Sequence, residues 1–217
     1  MTSNEQNQHA GVILAGGQSR RMGRDKRVLH FRERPLIEHV ISALCEFTEI
    51  LVVVDRRQST LSQELIDAKR ILEIDSVHWL YDELSDIGPL EGVRVAFDWL
   101  NHSQTNCEAA LLVGCDFPLF LPSVGRRLFA LLEDHEAVCF VDDCKRKPLP
   151  GVYRIAILPK IMQLLANGQR SLQSLLNAID CKEVHEDAIR DIDPQLTSLK
   201  NINTENELQA LRLRFGM

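Results

Sequence analysis

The sequence predicts an α/β protein in which a mostly parallel, mixed sheet lies between two layers of helices. Short apolar runs alternate with amphipathic helical patterns along almost the whole chain, as expected when covering helices connect parallel strands. The chain has 217 residues, of which 45% are hydrophobic, so it can bury a sizeable core. Because no internal repeat, low-complexity tract or long Pro/Gly/Ser linker divides it, we predict a single domain.

The pattern assigns each element in turn. Five apolar runs are predicted as strands, at residues 11–15, 49–54, 78–82, 109–116 and 137–142. Between the first two, residues 34–47 place apolar side chains on one helical face, which completes a βαβ unit. Further helices are predicted at 89–100, 122–133, 156–167, 171–179 and 204–214, and further strands at 151–154, 182–186 and 197–202.

Composition argues against several functional classes. A formal net charge of −6 and a pI near 5.7 argue against nucleic acid or an anionic membrane as a partner. Residues 1–10 are polar and are expected to form a disordered tail before a domain at 11–217. No secretory signal and no run of about 18 apolar residues is present, which predicts a cytoplasmic protein. Six cysteines without a CxxC pair are expected to be reduced core thiols rather than a zinc site.

Residues 12–26, VILAGGQSRRMGRDK, join an apolar strand to glycines and then to positive charge. Gly16 and Gly17 allow the backbone to turn and to present N–H groups to an anion at close range. Arg20, Arg21 and Lys26 follow, and their charges suit phosphate oxygens. The spacing fits neither a Walker P-loop nor a dinucleotide GxGxxG motif. The alternative is a solvated basic loop whose glycines serve only a turn.

Three further sites follow predicted strands, where open α/β sheets bind ligands. Asp116 ends the strand in LLVGCDFPLF and is a candidate Mg²⁺ ligand, the alternative being a helix cap. Asp82 precedes Gly88 and Gly92 at a predicted helix start, where a nucleotide can approach closely, although an ordinary loop fits equally well.

The last of these sites is near the C-terminus. Asn201 and Asn203 precede Thr204 and Glu207, which have the spacing of a capping box. The two asparagines are candidate amide ligands, and a turn role is the alternative.

The segments LAGGQSRRMGRDK, GPLEG, GCDFP, PLPGVYR and NINTENEL, in this order and over this length, resemble those of the molybdenum cofactor guanylyltransferases. The family's opening motif, LAGGxSxRMGxDK, is matched at every fixed position, and the resemblance extends from residue 11 to the C-terminus. It implies a three-layer α/β/α, Rossmann-like nucleotidyltransferase fold. The N-terminal half would bind the nucleotide, and the C-terminal half the acceptor.

The resemblance implies an enzyme that transfers GMP from GTP to molybdopterin carrying molybdenum, with Mg²⁺, and releases pyrophosphate. Carried over by motif, the nucleotide would be held by Leu14, Ala15, Gly16, Gly17, Asp82, Gly88, Gly92, Asn201 and Asn203. Lys26 would meet its phosphates, Arg20 and Arg21 would assist the leaving group, and Asp116 would bind the metal. A phosphate monoester is largely ionised at pH 7, so the acceptor oxygen requires no general base.

Two departures from the family pattern stand out. Asp55 occupies the place of an asparagine that often contacts the base or ribose, and NTENEL replaces NTPxEL.

Cytidylyl relatives usually have AAG in place of Ala15-Gly16-Gly17 and lack GPLxG, which favours guanine as the base of the nucleotide substrate. For the acceptor phosphate the candidates are Lys145, Arg146, Lys147 and Arg170, the first three of which also fit a solvated loop.

Two alternative functions stay open at this point. One is a nucleotidyltransferase that uses CTP or another phosphorylated acceptor, such as a sugar phosphate. The other is a non-catalytic, nucleotide-binding regulator, against which Lys26 and Asp116 count. Proteins that deliver or receive the cofactor are further expected partners.

Overall fold

A seven-stranded sheet forms the centre of the computed structural model, which describes residues 8–16, 29–56, 77–82, 88–103, 105–143 and 145–215. Its strands are β1 (Gln8–Leu14), β4 (Ile50–Arg56), β5 (Val77–Asp82), β6 (Cys107–Gly114), β7 (Ala137–Asp142), β8 (Lys145–Arg154) and β9 (Cys181–His185). The spatial order is β5-β4-β1-β6-β8-β7-β9. A separate two-stranded hairpin consists of β2 (His30–Phe31) and β3 (Arg34–Pro35).

The sheet is mixed and mostly parallel, as predicted. Strand β8 runs antiparallel to both of its neighbours, β6 and β7, whereas the other pairings are parallel. Strands β1, β4, β5 and β6 therefore end at one edge of the sheet, with Leu14, Arg56, Asp82 and Gly114 as their last residues. We call this the carboxyl edge.

The described residues contain six helices, and the first five of them cover the two faces of the sheet. They are α1 (Leu36–Cys45), α2 (Pro89–His102), α3 (Pro122–Leu132), α4 (Leu158–Ala166), α5 (Leu172–Ala178) and α6 (Glu205–Phe215). Side chains alternate between faces along a strand, so Ile13 packs in the cluster that includes α1 and α3. Its neighbour Val12 packs in the cluster that includes α2, α4 and α5. This arrangement produces the predicted three layers.

The structure corrects the sequence prediction at both ends of the domain. Strand β1 begins at Gln8, and Ala10 is fully buried in register with Ile50, so residues 8–10 belong to the sheet and not to a disordered tail. Residues 197–202 were predicted as a strand but form a 3₁₀ turn, Thr197–Leu199, followed by chain outside the sheet. The reason is local, because the carboxylate of Asp193 accepts the backbone N–H groups that a strand would pair.

A small third cluster joins the C-terminus to the hairpin. Leu208 and Leu211 of α6 pack with Phe31, Leu36 and Ile202, all of which are buried. The cluster thereby fixes the chain segment just before α6 against the rest of the domain. Among the described residues, no helix has both the length and the apolar character that a membrane crossing requires.

Candidate active site

The end of β1 lies at the centre of the carboxyl edge. The backbone N–H of Ala15 donates to the carbonyl oxygen of Val54 over 2.9 Å, and that of Cys115 donates to Leu14 over 3.3 Å. These bonds extend the pairing of β1 with β4 and β6 beyond the strands themselves. Gly16 follows directly, while the predicted phosphate-binding residues Gly17, Arg20, Arg21 and Lys26 lie outside the described residues. Their roles stay predictions.

Asp116 lies in a tight turn at the end of β6. The N–H of Phe117 donates to the carbonyl oxygen of Gly114 over 3.3 Å, which folds the chain back over the strand end. A Cβ atom on residue 114 would stand 2.3 Å from Oδ1 of Asp116, so a larger residue there would displace the carboxylate from its position. Sequence reasoning missed the role of Gly114, although its place two residues before a strand-ending aspartate was a usable signal.

The C-terminal asparagines are brought to Asp116 by a backbone hydrogen bond. The N–H of Ile202, between Asn201 and Asn203, donates to the carbonyl oxygen of Asp116 over 2.8 Å. Ile202 is itself buried, so the segment is anchored by packing as well. Two predicted parts of the site, distant in sequence, therefore meet at the carboxyl edge.

The capping box that follows these asparagines is confirmed. The carboxylate of Glu207 accepts the backbone N–H of Thr204 over 2.9 Å, and the hydroxyl of Thr204 accepts that of Glu207 over 3.2 Å. The N–H of Asn203 also donates to Glu207 over 2.6 Å. The start of α6 thus fixes the backbone of the segment that contacts Asp116.

The N-terminus of α2 lies against the ends of β1 and β4. A Cβ atom on Gly92 would stand 3.2 Å from Cδ2 of Leu14 and 3.7 Å from Cγ1 of Val54, so the helix start packs closely against both strand ends and a larger residue would press on Leu14. Gly88 has a φ of +98°, a conformation that L side chains rarely adopt. The dipole of a helix N-terminus at this edge favours an anion nearby, although the N–H groups of Leu90 and Glu91 are already bonded to the carbonyl oxygens of Arg170 and Gly88.

Charged side chains flank this helix start. Arg94 binds the buried carboxylate of Glu91 in a bidentate arrangement, with nitrogen to oxygen distances of 2.8 to 3.0 Å. These hydrogen bonds raise the pKa of the Arg94 guanidinium, and the charge of Asp82 acts in the same direction. Asp82 is the last residue of β5, as predicted. It lies close enough to Arg94 of α2 for the two charges to interact.

Asp55 differs from the other predicted nucleotide ligands because it is completely buried. It pairs in register with Tyr81 inside the sheet, one residue before the end of β4. Its predicted role in place of a base-contacting amide stays a prediction.

The chain is similar to proteins of a known family. The model of the MobA-like NTP transferase domain matches residues 11–184, which run from β1 into β9 and include the carboxyl edge. The chain belongs to this family. A Synechococcus elongatus protein named probable molybdenum cofactor guanylyltransferase is 34% identical over 212 residues, covering 94% of this chain and 98% of that protein.

Solved structures share the fold. Molybdopterin-guanine dinucleotide biosynthesis protein A from Archaeoglobus fulgidus superposes with a TM-score of 0.73 at 22% identity, covering 93% of this chain and 95% of that one. A Mycobacterium tuberculosis protein solved in complex with manganese gives a TM-score of 0.60 at 16% identity, covering 82% and 88%. These similarities confirm the predicted nucleotidyltransferase fold.

The four cations considered for the acceptor phosphate in this MobA-like domain have different surroundings. Arg146 donates to the carbonyl oxygen of Leu176 over 2.8 Å and to the side chain of Asn177. Lys147 pairs with Asp142 over 3.2 Å and with Glu186. Both side chains therefore hold the C-terminal half of the domain together.

Arg170, by contrast, is exposed and lies beside the N-terminus of α2. Its carbonyl oxygen accepts the N–H of Leu90 over 3.3 Å and would stand 2.8 Å from a Cβ atom on Gly88. The next residue, Ser171, caps α5 by accepting the N–H of Ser174 over 3.0 Å. Lys145, at the start of β8, is also exposed.

Proposed function

We propose that this protein is a molybdenum cofactor guanylyltransferase, which transfers GMP from GTP to the terminal phosphate of molybdenum-carrying molybdopterin. The observation that carries the proposal is the meeting of three segments at the carboxyl edge of a MobA-like domain. These are the turn of Asp116, the segment around Ile202 that binds it, and the N-terminus of α2 at Gly88. Membership of the family and the 34% identity to a relative of that name support the choice of reaction.

The chemistry requires alignment more than acid–base catalysis. An oxygen of the acceptor phosphate attacks the α-phosphorus of GTP, a new P–O bond forms, and the bond to the β-phosphate oxygen breaks with release of pyrophosphate. The acceptor phosphate is largely ionised at neutral pH, so no proton has to be removed. The site must hold two polyanions in line and offset their repulsion. The N-terminus of α2 provides part of this stabilisation for the nucleotide.

We propose Asp116 as the ligand of a Mg²⁺ ion. Within the described residues no group of three or more His, Cys, Asp or Glu side chains could hold a metal by protein ligands alone. Mg²⁺ in nucleotide sites is usually bound by one or two carboxylates together with phosphate oxygens and water, so a single carboxylate at the strand end fits. When bound, the ion would offset charge on the phosphates. The absence of a side chain at Gly114 allows the carboxylate to lie against the end of β6.

The remaining roles follow the family motif. Lys26 is proposed to contact the phosphates, and Gly17 is proposed to let them approach the backbone closely. Arg20 and Arg21 are proposed to assist the departure of pyrophosphate. Leu14, Ala15 and Gly16 are proposed to contact the nucleotide. Arg170 is the proposed cation for the acceptor because it is exposed beside the start of α2, whereas Arg146 and Lys147 are engaged within the fold.

The site's proposed substrates are GTP and a phosphorylated pterin, both highly charged metabolites of the cell interior. We therefore propose a cytoplasmic reaction, with delivery and uptake of the cofactor by partner proteins.

One assay tests the function. Purified protein is incubated with Mg²⁺, molybdopterin loaded with molybdate, and each of the four NTPs, and pyrophosphate release is followed. Release with GTP alone is expected, together with a guanine dinucleotide product. Activity only with CTP, or only with a sugar phosphate as acceptor, would replace the proposal with one of the alternative transferases. Binding of GTP without turnover would identify a regulator.

A further inference from the structure

The loop that carries Asp116, residues 115–121, is attached at both ends to a single distant segment, residues 193–202. We call these the Asp116 loop and the clamp segment. At the start of the loop, the N–H of Ile202 donates to the carbonyl oxygen of Asp116 over 2.8 Å. At its end, the N–H of Leu121 donates to the hydroxyl oxygen of Ser198 over 3.1 Å. The conformation of the clamp segment therefore determines where the Asp116 loop sits.

The bond to Ser198 is partly buried, and its acceptor comes from a residue 77 positions along the chain. Ser198 has no exposed surface. Leu121 is the N-cap residue of α3, and its apolar side chain cannot cap the helix, so this helix start depends on the hydroxyl from the clamp segment. If the Leu121 N–H loses this acceptor, the folded state is destabilised, and the backbone around Leu121 shifts until the N–H finds another partner.

Asp193 in turn holds Ser198 in place. Its Oδ2 atom accepts the N–H of Ser198 over 2.7 Å, and its Oδ1 atom accepts the N–H and the hydroxyl of Thr197, each over 3.0 Å. Burial opposes ionisation of this carboxylate, but the hydrogen bonds from Ser198 and Thr197 outweigh it and lower its pKa. The preceding residue, Leu196, has a left-handed φ of 52°, which these bonds stabilise.

We infer that Ser198 and Asp193 are positioning residues for Asp116, because Asp193 holds Ser198 and Ser198 binds the Leu121 end of the Asp116 loop. Neither is placed in contact with substrate or metal. The inference rests on the proposed function, in which Asp116 binds the metal of the metal–nucleotide complex. A carboxylate that serves this purpose must be held to a fraction of an ångström, and the bonds to Ile202 and Ser198 add to the burial of Phe117 and Phe120 in holding the loop.

The test compares Ser198→Ala with Thr197→Val. The first removes the acceptor of the Leu121 N–H. The second removes a hydroxyl that also binds Asp193 but that leaves both bonds to the Asp116 loop intact. Three quantities are measured for each: amide hydrogen exchange of residues 116–121, binding of Mn²⁺–GTP by calorimetry, and the Mg²⁺ concentration that half-saturates turnover.

For Ser198→Ala we expect faster exchange in residues 116–121, and both Mn²⁺–GTP binding and the Mg²⁺ requirement weakened by about fivefold or more. Turnover at saturating Mg²⁺ should stay within about twofold of wild type, because the ligand itself is intact. Thr197→Val should leave all three close to wild type. A residue that only stabilised the fold would lower the melting temperature in both variants without changing the metal dependence.

The inference is overturned if Ser198→Ala accelerates exchange but leaves Mn²⁺–GTP binding and the Mg²⁺ requirement unchanged, or if Thr197→Val changes them equally. Should Ser198→Ala not fold, Ser198→Cys keeps a weaker acceptor of similar size, and an unchanged metal requirement in that variant would also refute it. If the wild-type protein transfers no guanylyl group, the proposed function fails, while exchange and Mn²⁺–GTP binding still decide the positioning role.

Discussion

The carbonyl oxygen of Arg170 would lie only 2.8 Å from a Cβ atom placed on Gly88. The same oxygen accepts the N–H of Leu90 over 3.3 Å, so the loop before α5 is bound directly to the start of α2. In functional terms this contact joins the half of the domain proposed to hold the acceptor to the half proposed to hold the nucleotide. Alignment of the two substrates therefore depends on a contact between two backbone segments.

Substitution of Gly88 by alanine should disturb this contact. The added methyl group meets the carbonyl oxygen of Arg170 and the residue must keep a positive φ, which costs about 1 to 3 kcal/mol. We expect kcat/KM for GTP to fall about tenfold or more. The matched control is Gly168→Ala, which has a φ of +75° but no atom within 4 Å of its added methyl. It should lose stability with little change in kcat/KM, and equal losses in both variants would show that backbone strain alone is responsible.

Substitution of Asp116 by asparagine should abolish most turnover without unfolding the protein. The change removes the proposed metal charge at nearly constant volume, so we expect kcat to fall by about 100-fold or more while the melting temperature changes little. Asp98→Asn is the control because Asp98 is half-exposed on α2, away from the helix start. Chelation of divalent ions should inactivate the wild type. Near-normal turnover of Asp116→Asn would refute the proposal that Asp116 binds Mg²⁺.

Arg170 and Arg146 should separate into a substrate ligand and a structural residue. Arg170→Ala is expected to raise the KM of the phosphorylated acceptor about tenfold with an unchanged melting temperature, because it removes an exposed cation. Arg146→Ala is expected to destabilise the domain, because it breaks bonds to Leu176 and Asn177. Steady-state kinetics and thermal unfolding of the two variants provide the comparison. A raised KM in Arg146→Ala together with a lowered melting temperature in Arg170→Ala would place the acceptor phosphate near Arg146 on β8 instead.

Asp193 should make stability depend on acid pH. Its pKa is lowered in the folded state, where hydrogen bonds from Ser198 and Thr197 outweigh the effect of burial. A lowered folded pKa contributes stability above the unfolded value of about 3.9, and this contribution is lost as the pH falls through the folded pKa. Asp193→Asn should therefore cost about 2 kcal/mol or more near pH 7, and the difference from wild type should narrow below about pH 4.

Urea unfolding at several pH values measures this dependence. The control is Asp191→Asn. Asp191 pairs with Arg127, and the pKa of Asp191 is lowered too, but its side chain is exposed, so solvent screens its contribution to stability. It should change the free energy of unfolding only slightly at any pH. If the difference in the free energy of unfolding between wild type and Asp193→Asn were the same at pH 7 and below pH 4, the stabilising role of the ionised Asp193 carboxylate would be contradicted.

Local pattern predicted most of the elements. Strand β7 lies at the predicted residues 137–142, and α2 begins at Pro89 as predicted, because apolar periodicity and a proline at the helix start are local signals. The pattern was wrong at residues 197–202, where a buried carboxylate four to five positions earlier takes up backbone N–H groups. It also missed the start of β1, whose polar residues Gln8 and His9 do not read as a buried strand.

The sequence by itself determined the α/β class, the family and the residues at the strand ends, since each depends on short motifs and their order. Only the tertiary structure decided which of these residues meet. It bound Ile202 to Asp116 and Arg170 to Leu90, and it engaged Arg146 and Lys147 within the fold. Such contacts join segments far apart in the chain, so they depend on how the sheet is ordered and how helices pack on it, which no local periodicity encodes.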